Sequence, residues 1–478
     1  MSHCANFIDG QWIDSREIID NINPADTDDV IGQYAQASVA DVEQALAAAS
    51  ASFADWSCGS IQQRFDALDA IGTEILDRRE ELGRLLAREE GKSLGESIGE
   101  VIRAGQIFKF FAGETVRLQG EILDSVRPGV QVEITREPVG PVAIITPWNF
   151  PIAIPAWKIA PALAYGNSVV FKPSNLVPAS AWALTDIISR SGIPKGVFNL
   201  VMGSGNSVGG HLLNDRRIKA VSFTGSLHTG AVVAEACSKH GTKYQLEMGG
   251  KNPLIILDDA DLDVAVNCAV NGAFFATGQR CTASSRLIVE AGIHDDFVAA
   301  INVAVKDLRV GDPLKEGTQI GPVVDESQLN QNLKYIEIGK DEGATLLVGG
   351  GRVERDTPGF YQEPALFIDT NNNMRINREE IFGPVATVIK VADFEEAIAV
   401  ANDTIFGLSA GICTRSLEFA TRFKRECKAG MVMVNLPTAG VDYHVPFGGT
   451  KDSSFGAREQ GSYAREFFTV VKTAYVGR

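Results

Sequence analysis

Residues 141–174 read PVAIITPWNFPIAIPAWKIAPALAYGNSVVFKPS, in which two short apolar strands enclose a helical segment. The alternation continues through AWALTDIISRSG, GVFNLVMG and KAVSFTGS, which ends at residue 226. Such alternation is typical of a parallel sheet with crossover helices, which binds its ligands at the carboxyl ends of the strands. A second region of this kind follows from about residue 250 to 437. We therefore predict an α/β protein with two such units.

The segments outside these units have other patterns. From about residue 40 to 117, apolar residues recur at three- and four-residue steps, which predicts helices, one of them ended by Gly91. Residues 120–140 alternate apolar and polar residues around Pro128 and Gly129, which predicts a β-hairpin with little core of its own. The tail EFFTVVKTAYVGR predicts a terminal strand that joins this hairpin.

The composition is that of a soluble globular protein. The chain has 478 residues, of which 45 % are hydrophobic and 22 % charged, so we expect two or three domains that share interfaces. No apolar stretch is long enough to span a membrane. The N-terminal sequence MSHCANFIDGQW lacks the basic and apolar regions of a secretory signal, so we expect a cytoplasmic protein.

Charge and cysteine usage exclude several classes of function. A net charge of −16 with no basic block repels nucleic acid and anionic lipid. The seven cysteines contain no CxxC pair and the histidines no HExxH pair, so neither a disulfide framework nor a metal site is predicted. The expected partner is a small molecule.

Two glycine-rich turns follow predicted strands. GSGNSVGG, residues 203–210, includes Gly205 and resembles a dinucleotide fingerprint, but its third glycine falls one place late, so an ordinary strand-to-helix turn remains open. FTGSLHTG, residues 223–230, places Gly225 and Ser226 before a helix start, whose free N–H groups can bind a pyrophosphate. Two such turns in one sheet favour a dinucleotide.

Lys172 in FKPS stands at a strand end immediately before a proline. A lysine in this position is usually solvated. The functional alternative is a hydrogen bond to ribose hydroxyls.

Cys281 lies in NGAFFATGQRCTASSRLIVE, residues 271–290, between a predicted helix and a predicted strand. A single cysteine is most often buried and inert, as we expect for Cys237 and Cys268 inside helical patterns. Cys281 instead has polar neighbours and the cation Arg280, a setting predicted to favour the thiolate that attacks carbonyl carbon.

Two further polar residues follow strands. Glu247 in YQLEMGG is an acidic residue among apolar ones, so either a structural ion pair or a catalytic role explains it. Asn149 in TPWNFP precedes Pro151, and it either caps the next helix or donates a hydrogen bond to an oxyanion.

Taken in order, TPWNFP, FKPS, FTGS, LEMGGKNP, GQRC, EEIFGP and PFGG resemble the aldehyde dehydrogenase superfamily, from FIDGQW near the start to the tail. The resemblance implies a Rossmann-like NAD(P)-binding domain of residues 1–119 and 141–249. It also implies an α/β catalytic domain, residues 250–440, and a small β oligomerisation arm, residues 120–140 and 460–478. Homodimers or homotetramers and NAD or NADP as cofactor are implied in the same way.

The resemblance assigns a role to each motif residue. Cys281 matches the nucleophile, Glu247 the general base and Asn149 the oxyanion donor. The residues implied to bind the cofactor are Trp148, Lys172, Ser174, Asn175, Gly205, Gly225, Ser226, Glu380 and Phe382. Family members that prefer NAD often carry an acidic residue where this chain has Asn175, so we predict that NADP is used alongside NAD.

The substrate expectation rests on VNLPTAGVDYHVPFGGTKDSSFGAREQG, residues 434–461, which is similar to α-ketoglutaric semialdehyde (2,5-dioxopentanoate) dehydrogenases. It implies oxidation of 2,5-dioxopentanoate to 2-oxoglutarate. Arg280 is the candidate for the distal carboxylate, with a structural hydrogen bond to the backbone as the alternative. Phe150, Trp157 and Phe447 are expected to line the tunnel and His444 to lie near its mouth.

Other functions remain open on the sequence alone. Succinate-semialdehyde dehydrogenases usually carry arginine where this chain has Trp157, but that substrate, like a broad range of aliphatic aldehydes, stays an alternative. A cysteine hydrolase is the alternative from another class, although the glycine turns and Lys172 then lack a purpose.

Overall fold

The computed structural model describes residues 4–477. Two short strands, a hairpin, four helices and a second hairpin come first: β1 (Asn6–Ile8), β2 (Gln11–Ile13), β3 (Ile18–Asn23), β4 (Asp26–Ala35), α1 (Val39–Cys58), α2 (Ile61–Asp77), α3 (Arg79–Glu90), α4 (Leu94–Thr115), β5 (Glu121–Asp124) and β6 (Val130–Pro138). Ser38 caps α1 with its hydroxyl oxygen, and Gly91 ends α3 in the left-handed region, with φ 99°.

Alternating strands and helices then form the first α/β unit: β7 (Val142–Ile145), α5 (Ala153–Ala164), β8 (Val169–Lys172), α6 (Pro178–Ser189), β9 (Phe198–Leu200), α7 (Gly210–Asn214), β10 (Ala220–Thr224), α8 (Leu227–His240) and β11 (Lys243–Glu247). A π-helical turn, Gly205–Gly209, leads into α7.

The second unit and the C-terminal segment follow in the same manner: β12 (Asn252–Ile256), α9 (Leu262–Phe274), β13 (Ser284–Glu290), α10 (His294–Lys306), α11 (Glu326–Asp341), β14 (Thr345–Val348), β15 (Ala365–Thr370), α12 (Arg375–Arg378), β16 (Val385–Val391), α13 (Phe394–Asn402), β17 (Ser409–Cys413), α14 (Leu417–Glu426), β18 (Met431–Val434), β19 (Ser454–Phe455), α15 (Arg465–Phe468) and β20 (Thr469–Gly477).

The two units build two large sheets. The first has eight strands in the order β19-β11-β10-β7-β8-β9-β1-β2, and the second has seven in the order β14-β15-β16-β13-β12-β17-β18. Strands β11, β10, β7, β8 and β9 are parallel, as the alternation predicts. The antiparallel edge strands β1, β2 and β19 were not predicted, because two or three residues carry no periodicity.

A third sheet joins the tail to the early hairpin. β20 pairs antiparallel with β6 from Thr469 opposite Pro138 to Gly477 opposite Val130, and β5 completes the sheet. The predicted pairing of the tail with the hairpin is therefore confirmed. The predicted domains begin at residue 1 and end at residue 478, and both of these residues lie outside the described ones.

The parallel strands of the first sheet end level with one another. Ile145 pairs with Lys172, and Thr224 pairs with Glu247, so the loops after β7, β8, β10 and β11 leave the sheet on one edge. Four sequence motifs that are far apart along the chain thereby meet at one carboxyl edge. From Cys4 to Gly477, no helix combines the length and the apolar character that crossing a bilayer demands.

Candidate active site

A strained turn carries Cys281. After α9, the residues Ala276, Thr277 and Gly278 take positive φ angles of 50°, 57° and 65° in succession. A Cβ on Gly278 would lie 2.2 Å from the carbonyl oxygen of Gly383, so only glycine fits there. Strain of this kind persists only where the surrounding structure holds it. Here the strained turn places Cys281 in a loop after α9 and not within the helix.

Two asparagine side chains fix this loop. Asn149 donates from Nδ2 to the carbonyl oxygen of Gln279 at 3.0 Å. Asn252 donates to the carbonyl oxygens of Cys281 and Ala283 at 2.8 and 2.9 Å. Helix α5 begins with no side-chain cap, so the predicted alternative that Asn149 acts as a helix cap is wrong.

The surroundings of the Cys281 sulfur oppose ionisation. Burial raises the pKa of the thiol to about 12, and the negative charges of Glu247 and Glu380 add to this effect. Arg280 is turned away into an ion pair with Glu96, with 2.5 Å between Nη2 and Oε1. The prediction that the sequence neighbours of Cys281 favour its thiolate form is therefore wrong for this structure.

Glu247, at the end of β11, is 2 % exposed and accepts a hydrogen bond from Ser454 Oγ at 2.6 Å. No cationic nitrogen from residues 4–477 lies within 4.0 Å of its carboxylate, so the structural ion pair is not found. Burial raises its pKa well above the ordinary value, and the charge of Glu459 raises it further. A Cβ on Gly448 would come within 2.8 Å of Glu247 Oε1, so that glycine leaves room for the carboxylate.

A buried network that the sequence did not reveal lies beside Glu247. Glu459 accepts from Trp157 Nε1 at 2.6 Å and contacts Lys158, which also donates to Ser222 Oγ at 2.9 Å. Lys158 inside the apolar sequence PAWKIAPALA was the available signal, because a lysine buried in an apolar helix needs a charged partner.

Cys281 opens into a cavity of about 340 Å³. Phe150, Trp157 and Phe447 line it as predicted, and the rings of Trp157 and Phe447 lie 5.4 Å apart. His444 is exposed, packs against Tyr443 and is not part of the cavity wall.

Three cations and two carboxylates also line this cavity. Lys92 pairs with Glu100 at 2.7 Å, and Arg280 pairs with Glu96. Arg103 has no carboxylate within 4.0 Å among the residues of the described chain. Arg103 was not predicted, although an arginine in the otherwise apolar run VIRAG of helix α4 is a signal.

A second set of polar groups lies at the carboxyl edge of the first sheet. Lys172 ends β8, is 5 % exposed and donates from Nζ to the carbonyl oxygen of Pro173 at 2.7 Å. Burial lowers its pKa to about 8. The general expectation that a strand-end lysine is solvated is therefore wrong here.

Several donors at this edge lack partners. The hydroxyls of Thr146 and Thr224, at the ends of β7 and β10, are buried and have no hydrogen-bond partner within residues 4–477. Ser226 caps α8 by accepting from the backbone N–H of Thr229 at 3.3 Å. A Cβ on Gly205 would meet nothing within 4 Å, so the turn before α7 faces open space.

The remaining predicted cofactor residues lie close by. Ser174 Oγ accepts from the N–H of Leu176 at 3.3 Å, and Asn175 Nδ2 donates to Gln36 Oε1 at 3.2 Å. Gly225 donates its N–H to the carbonyl oxygen of Glu247 at 3.0 Å.

Glu380 borders both parts of the site. It accepts from the N–H of Gly250 at 2.9 Å, and burial raises its pKa to about 7. A Cβ on Gly249 would lie 2.0 Å from Glu380 Oε2. The rings of Trp148 and Phe382 meet edge to face at 5.4 Å, with Phe382 held at φ 61°.

Comparison with known proteins follows the same motifs. Residues 12–474 match the model of the aldehyde dehydrogenase family. The chain belongs to this family. The predicted family resemblance and the aldehyde dehydrogenase fold are thus confirmed.

Among its aldehyde dehydrogenase relatives, the chain is 43 % identical over 475 residues to the alpha-ketoglutaric semialdehyde dehydrogenase of Bacillus subtilis, which covers 98 % of this chain and 97 % of that protein. Identity to the betaine aldehyde dehydrogenase of the same organism is 39 %, over 98 % and 96 % of the two chains. The betaine aldehyde dehydrogenase of Staphylococcus aureus, solved in complex with NAD+, superposes with a TM-score of 0.96 at 37 % identity, over 99 % of this chain and 94 % of that one.

Proposed function

We propose that this aldehyde dehydrogenase oxidises a small carboxylated semialdehyde, 2,5-dioxopentanoate, to 2-oxoglutarate with NAD or NADP. The observation that supports this most is one cavity in which Cys281 and an excess of cationic side chains meet. Relatives named for this activity include the protein from Bacillus subtilis and the 2,5-dioxopentanoate dehydrogenase of Saccharolobus solfataricus, to which the chain is 40 % identical.

The carboxyl edge of the first sheet fits a dinucleotide. The unpartnered hydroxyls of Thr146 and Thr224 and the free N–H groups of α8 behind Ser226 are donors that a pyrophosphate and a ribose can use. Lys172 is a buried amine with no acidic partner among residues 4–477, which suits ribose hydroxyls. When bound, the cofactor accepts the hydride that an aldehyde loses on oxidation.

Cys281 is the proposed nucleophile. Its sulfur adds to the aldehyde carbon, and the resulting thiohemiacetal oxygen needs hydrogen-bond donors. Asn149 gives one N–H of its amide to Gln279, and an amide has two, so the second can serve that oxygen together with the Cys281 backbone N–H. Because the pKa of the thiol is raised, only a small thiolate fraction of Cys281 is available to attack.

Glu247 is the proposed base. A carboxylate whose pKa is raised by burial is a stronger proton acceptor than an ordinary one, and Ser454 and the space at Gly448 orient it. In the second half of the reaction it removes a proton from the water that attacks the thioester on Cys281. The carboxylic acid is then released.

The charges in the cavity favour an anionic substrate over a cationic one. Three cations face two carboxylates, so the trimethylammonium group of betaine aldehyde meets net repulsion while a carboxylate is attracted. Succinate semialdehyde carries a carboxylate too and remains the alternative substrate. A cysteine hydrolase needs no dinucleotide, so Lys172 and the unpartnered hydroxyls at the sheet edge would have no ligand to bind.

The direct test offers the protein four aldehydes in turn: 2,5-dioxopentanoate, succinate semialdehyde, propanal and betaine aldehyde. The absorbance of the reduced cofactor measures the rate with NAD and with NADP. We expect the highest kcat/KM with 2,5-dioxopentanoate and none of this activity in Cys281→Ser. Turnover of thioesters without any nicotinamide, and no cofactor reduction with any aldehyde, would instead identify a hydrolase.

We further propose a cytoplasmic homodimer or homotetramer, with the sheet of β5, β6 and β20 as the oligomerisation arm and with the predicted domain limits. In support, this sheet leaves Ile122 70 % and Tyr475 61 % exposed, which is unusual for large apolar side chains. Sedimentation of a variant that carries Ile122→Lys and Tyr475→Lys should report smaller particles than the unmodified protein.

A further inference from the structure

Arg103 lines the cavity and Gln460 contacts it, and each side chain has a buried N–H group without a partner among residues 4–477. Arg103 donates from Nη2 to Gln460 Oε1 at 2.9 Å. The Nε of Arg103 and the Nε2 of Gln460 have no hydrogen-bond partner within residues 4–477, and Gln460 is 0 % exposed. Unpaired buried donors are costly, so a pair of them in contact points to an acceptor that the cavity is built to receive.

The backbone supports the same interpretation. Gln460 takes a left-handed conformation, with φ 60°, which costs a residue other than glycine free energy. In this conformation the Gln460 amide is buried and accepts the hydrogen bond from Arg103.

Of the three cations that line the cavity, Arg103 has no carboxylate of residues 4–477 within 4.0 Å. Lys92 and Arg280 each have a carboxylate within hydrogen-bond distance. The charges of Glu100 and Asp442 act on Arg103, but neither carboxylate comes within 4.0 Å of it. Arginine keeps its charge even when buried, so the site holds a permanent positive charge.

We propose that Arg103, held in place by Gln460, binds the carboxylate at the far end of the substrate and so selects carboxylated semialdehydes. This inference rests on the proposed function. A guanidinium presents parallel N–H donors that match the two oxygens of a carboxylate. The Trp157 ring, 5.6 Å from the guanidinium carbon, supports its plane. Cys281 lines the same cavity, so one substrate can reach both ends.

The proposal moves the carboxylate role away from Arg280. Arg280 lines the cavity, but its guanidinium already holds Glu96 and donates to the carbonyl oxygen of Asn271 at 3.4 Å. A substrate carboxylate there would compete with an existing carboxylate. At Arg103 it would find unpaired donors.

The test compares two substrates of equal chain length, 2,5-dioxopentanoate and pentanal, in Arg103→Gln, Arg103→Lys and the control Arg280→Gln. We expect Arg103→Gln to lower kcat/KM for 2,5-dioxopentanoate by about 10- to 100-fold and that for pentanal by less than about threefold, because only the former loses a charge-assisted hydrogen bond. Arg103→Lys should recover part of the loss. Arg280→Gln removes a cavity charge that Glu96 already neutralises, so it should lower the preference for 2,5-dioxopentanoate over pentanal several-fold less than Arg103→Gln does.

A second variant covers the case in which Arg103→Gln does not fold. Gln460→Glu keeps the shape of the side chain and places a carboxylate on Arg103, so it should lower the preference for 2,5-dioxopentanoate over pentanal by at least about tenfold. An unchanged preference in both Arg103→Gln and Gln460→Glu overturns the proposal, as does an equal loss with both substrates.

Binding of glutarate, measured by calorimetry, separates this inference from the proposed function. Glutarate needs no turnover, and its affinity should fall at least about tenfold in Arg103→Gln and clearly less in Arg280→Gln. If glutarate binding requires Arg103 but the protein does not oxidise 2,5-dioxopentanoate, the anion site is supported and the proposed function is contradicted. If Arg103→Gln changes neither the oxidation of 2,5-dioxopentanoate nor the affinity for glutarate, the anion site is contradicted and the proposed function is not.

Discussion

Asn149 donates its side-chain amide to the carbonyl oxygen of Gln279 over 3.0 Å and so ties the loop after β7 to the loop that carries Cys281. The two residues are 130 positions apart, and their contact joins the two α/β units at the candidate site. The same amide is the proposed donor to the reacting oxygen, so its removal should affect the reaction more than the fold.

Asn149→Ala tests this donor. Loss of one oxyanion donor costs about 3 kcal/mol of barrier, so we expect kcat/KM to fall by about 100-fold. The exposed Asn373, in the loop between β15 and α12, supplies the matched control Asn373→Ala, which should stay within about twofold. A fall of less than about fivefold in Asn149→Ala, with the same thermal unfolding, would remove the donor role.

Glu247→Gln separates the two halves of the reaction. Because Glu247 activates the water that attacks the thioester, the variant should still reduce cofactor in one burst that matches the enzyme concentration and then slow by at least about 100-fold, since the thioester persists. Stopped-flow absorbance measures both phases. Glu418→Gln, on the exposed face of α14, is the control and should show neither effect. Steady turnover of Glu247→Gln at the unmodified rate would exclude the role.

The raised pKa of Cys281 predicts how its alkylation depends on pH. A thiol with a pKa of about 12 instead of 9.0 has little thiolate at neutral pH. Without cofactor, its alkylation by iodoacetamide should therefore rise about tenfold per pH unit from about pH 7 to about pH 10, since only the thiolate reacts. Peptide mass spectrometry can follow Cys281 and the exposed Cys58 in one sample. A rate for Cys281 that levels off below about pH 9 would contradict the raised pKa.

Asn175 predicts use of both cofactors. Its amide contacts Gln36 and brings no negative charge to the cofactor edge, so the 2′-phosphate of NADP is not repelled. We expect the efficiencies with NAD and NADP to differ by less than about 1,000-fold. Asn175→Glu should lower kcat/KM with NADP by at least about tenfold and that with NAD by less than about threefold, whereas Asn175→Gln should change neither. Equal effects of Asn175→Glu on both cofactors would place residue 175 away from the phosphate.

The sequence predicts the fold well because its signals are local. Alternating strands and helices, glycine turns and the apolar tail each depend on neighbours within a few positions, and β7 to β11 follow them closely. The very short strands β1, β2 and β19 lie below the length at which alternation can be recognised, and only the completed sheet gives them partners.

The electrostatics of the site depend on distant residues, and there the sequence misleads. Arg280 is adjacent to Cys281 in the sequence but pairs with Glu96, 184 positions away, while Glu247 and Glu380 act on the sulfur from other loops. Arg103 was missed for the same reason, because only the packing of α4 against the cavity shows that no carboxylate of residues 4–477 lies within 4.0 Å of it.

Covalent catalysis by Cys281 can be observed by peptide mass spectrometry of Glu247→Gln quenched after mixing with 2,5-dioxopentanoate and NAD or NADP. The proposed chemistry predicts an acyl thioester on Cys281 that forms only when aldehyde and oxidised cofactor are both present. Cofactor reduction with no acyl group on Cys281, or with the group on another cysteine, would contradict it.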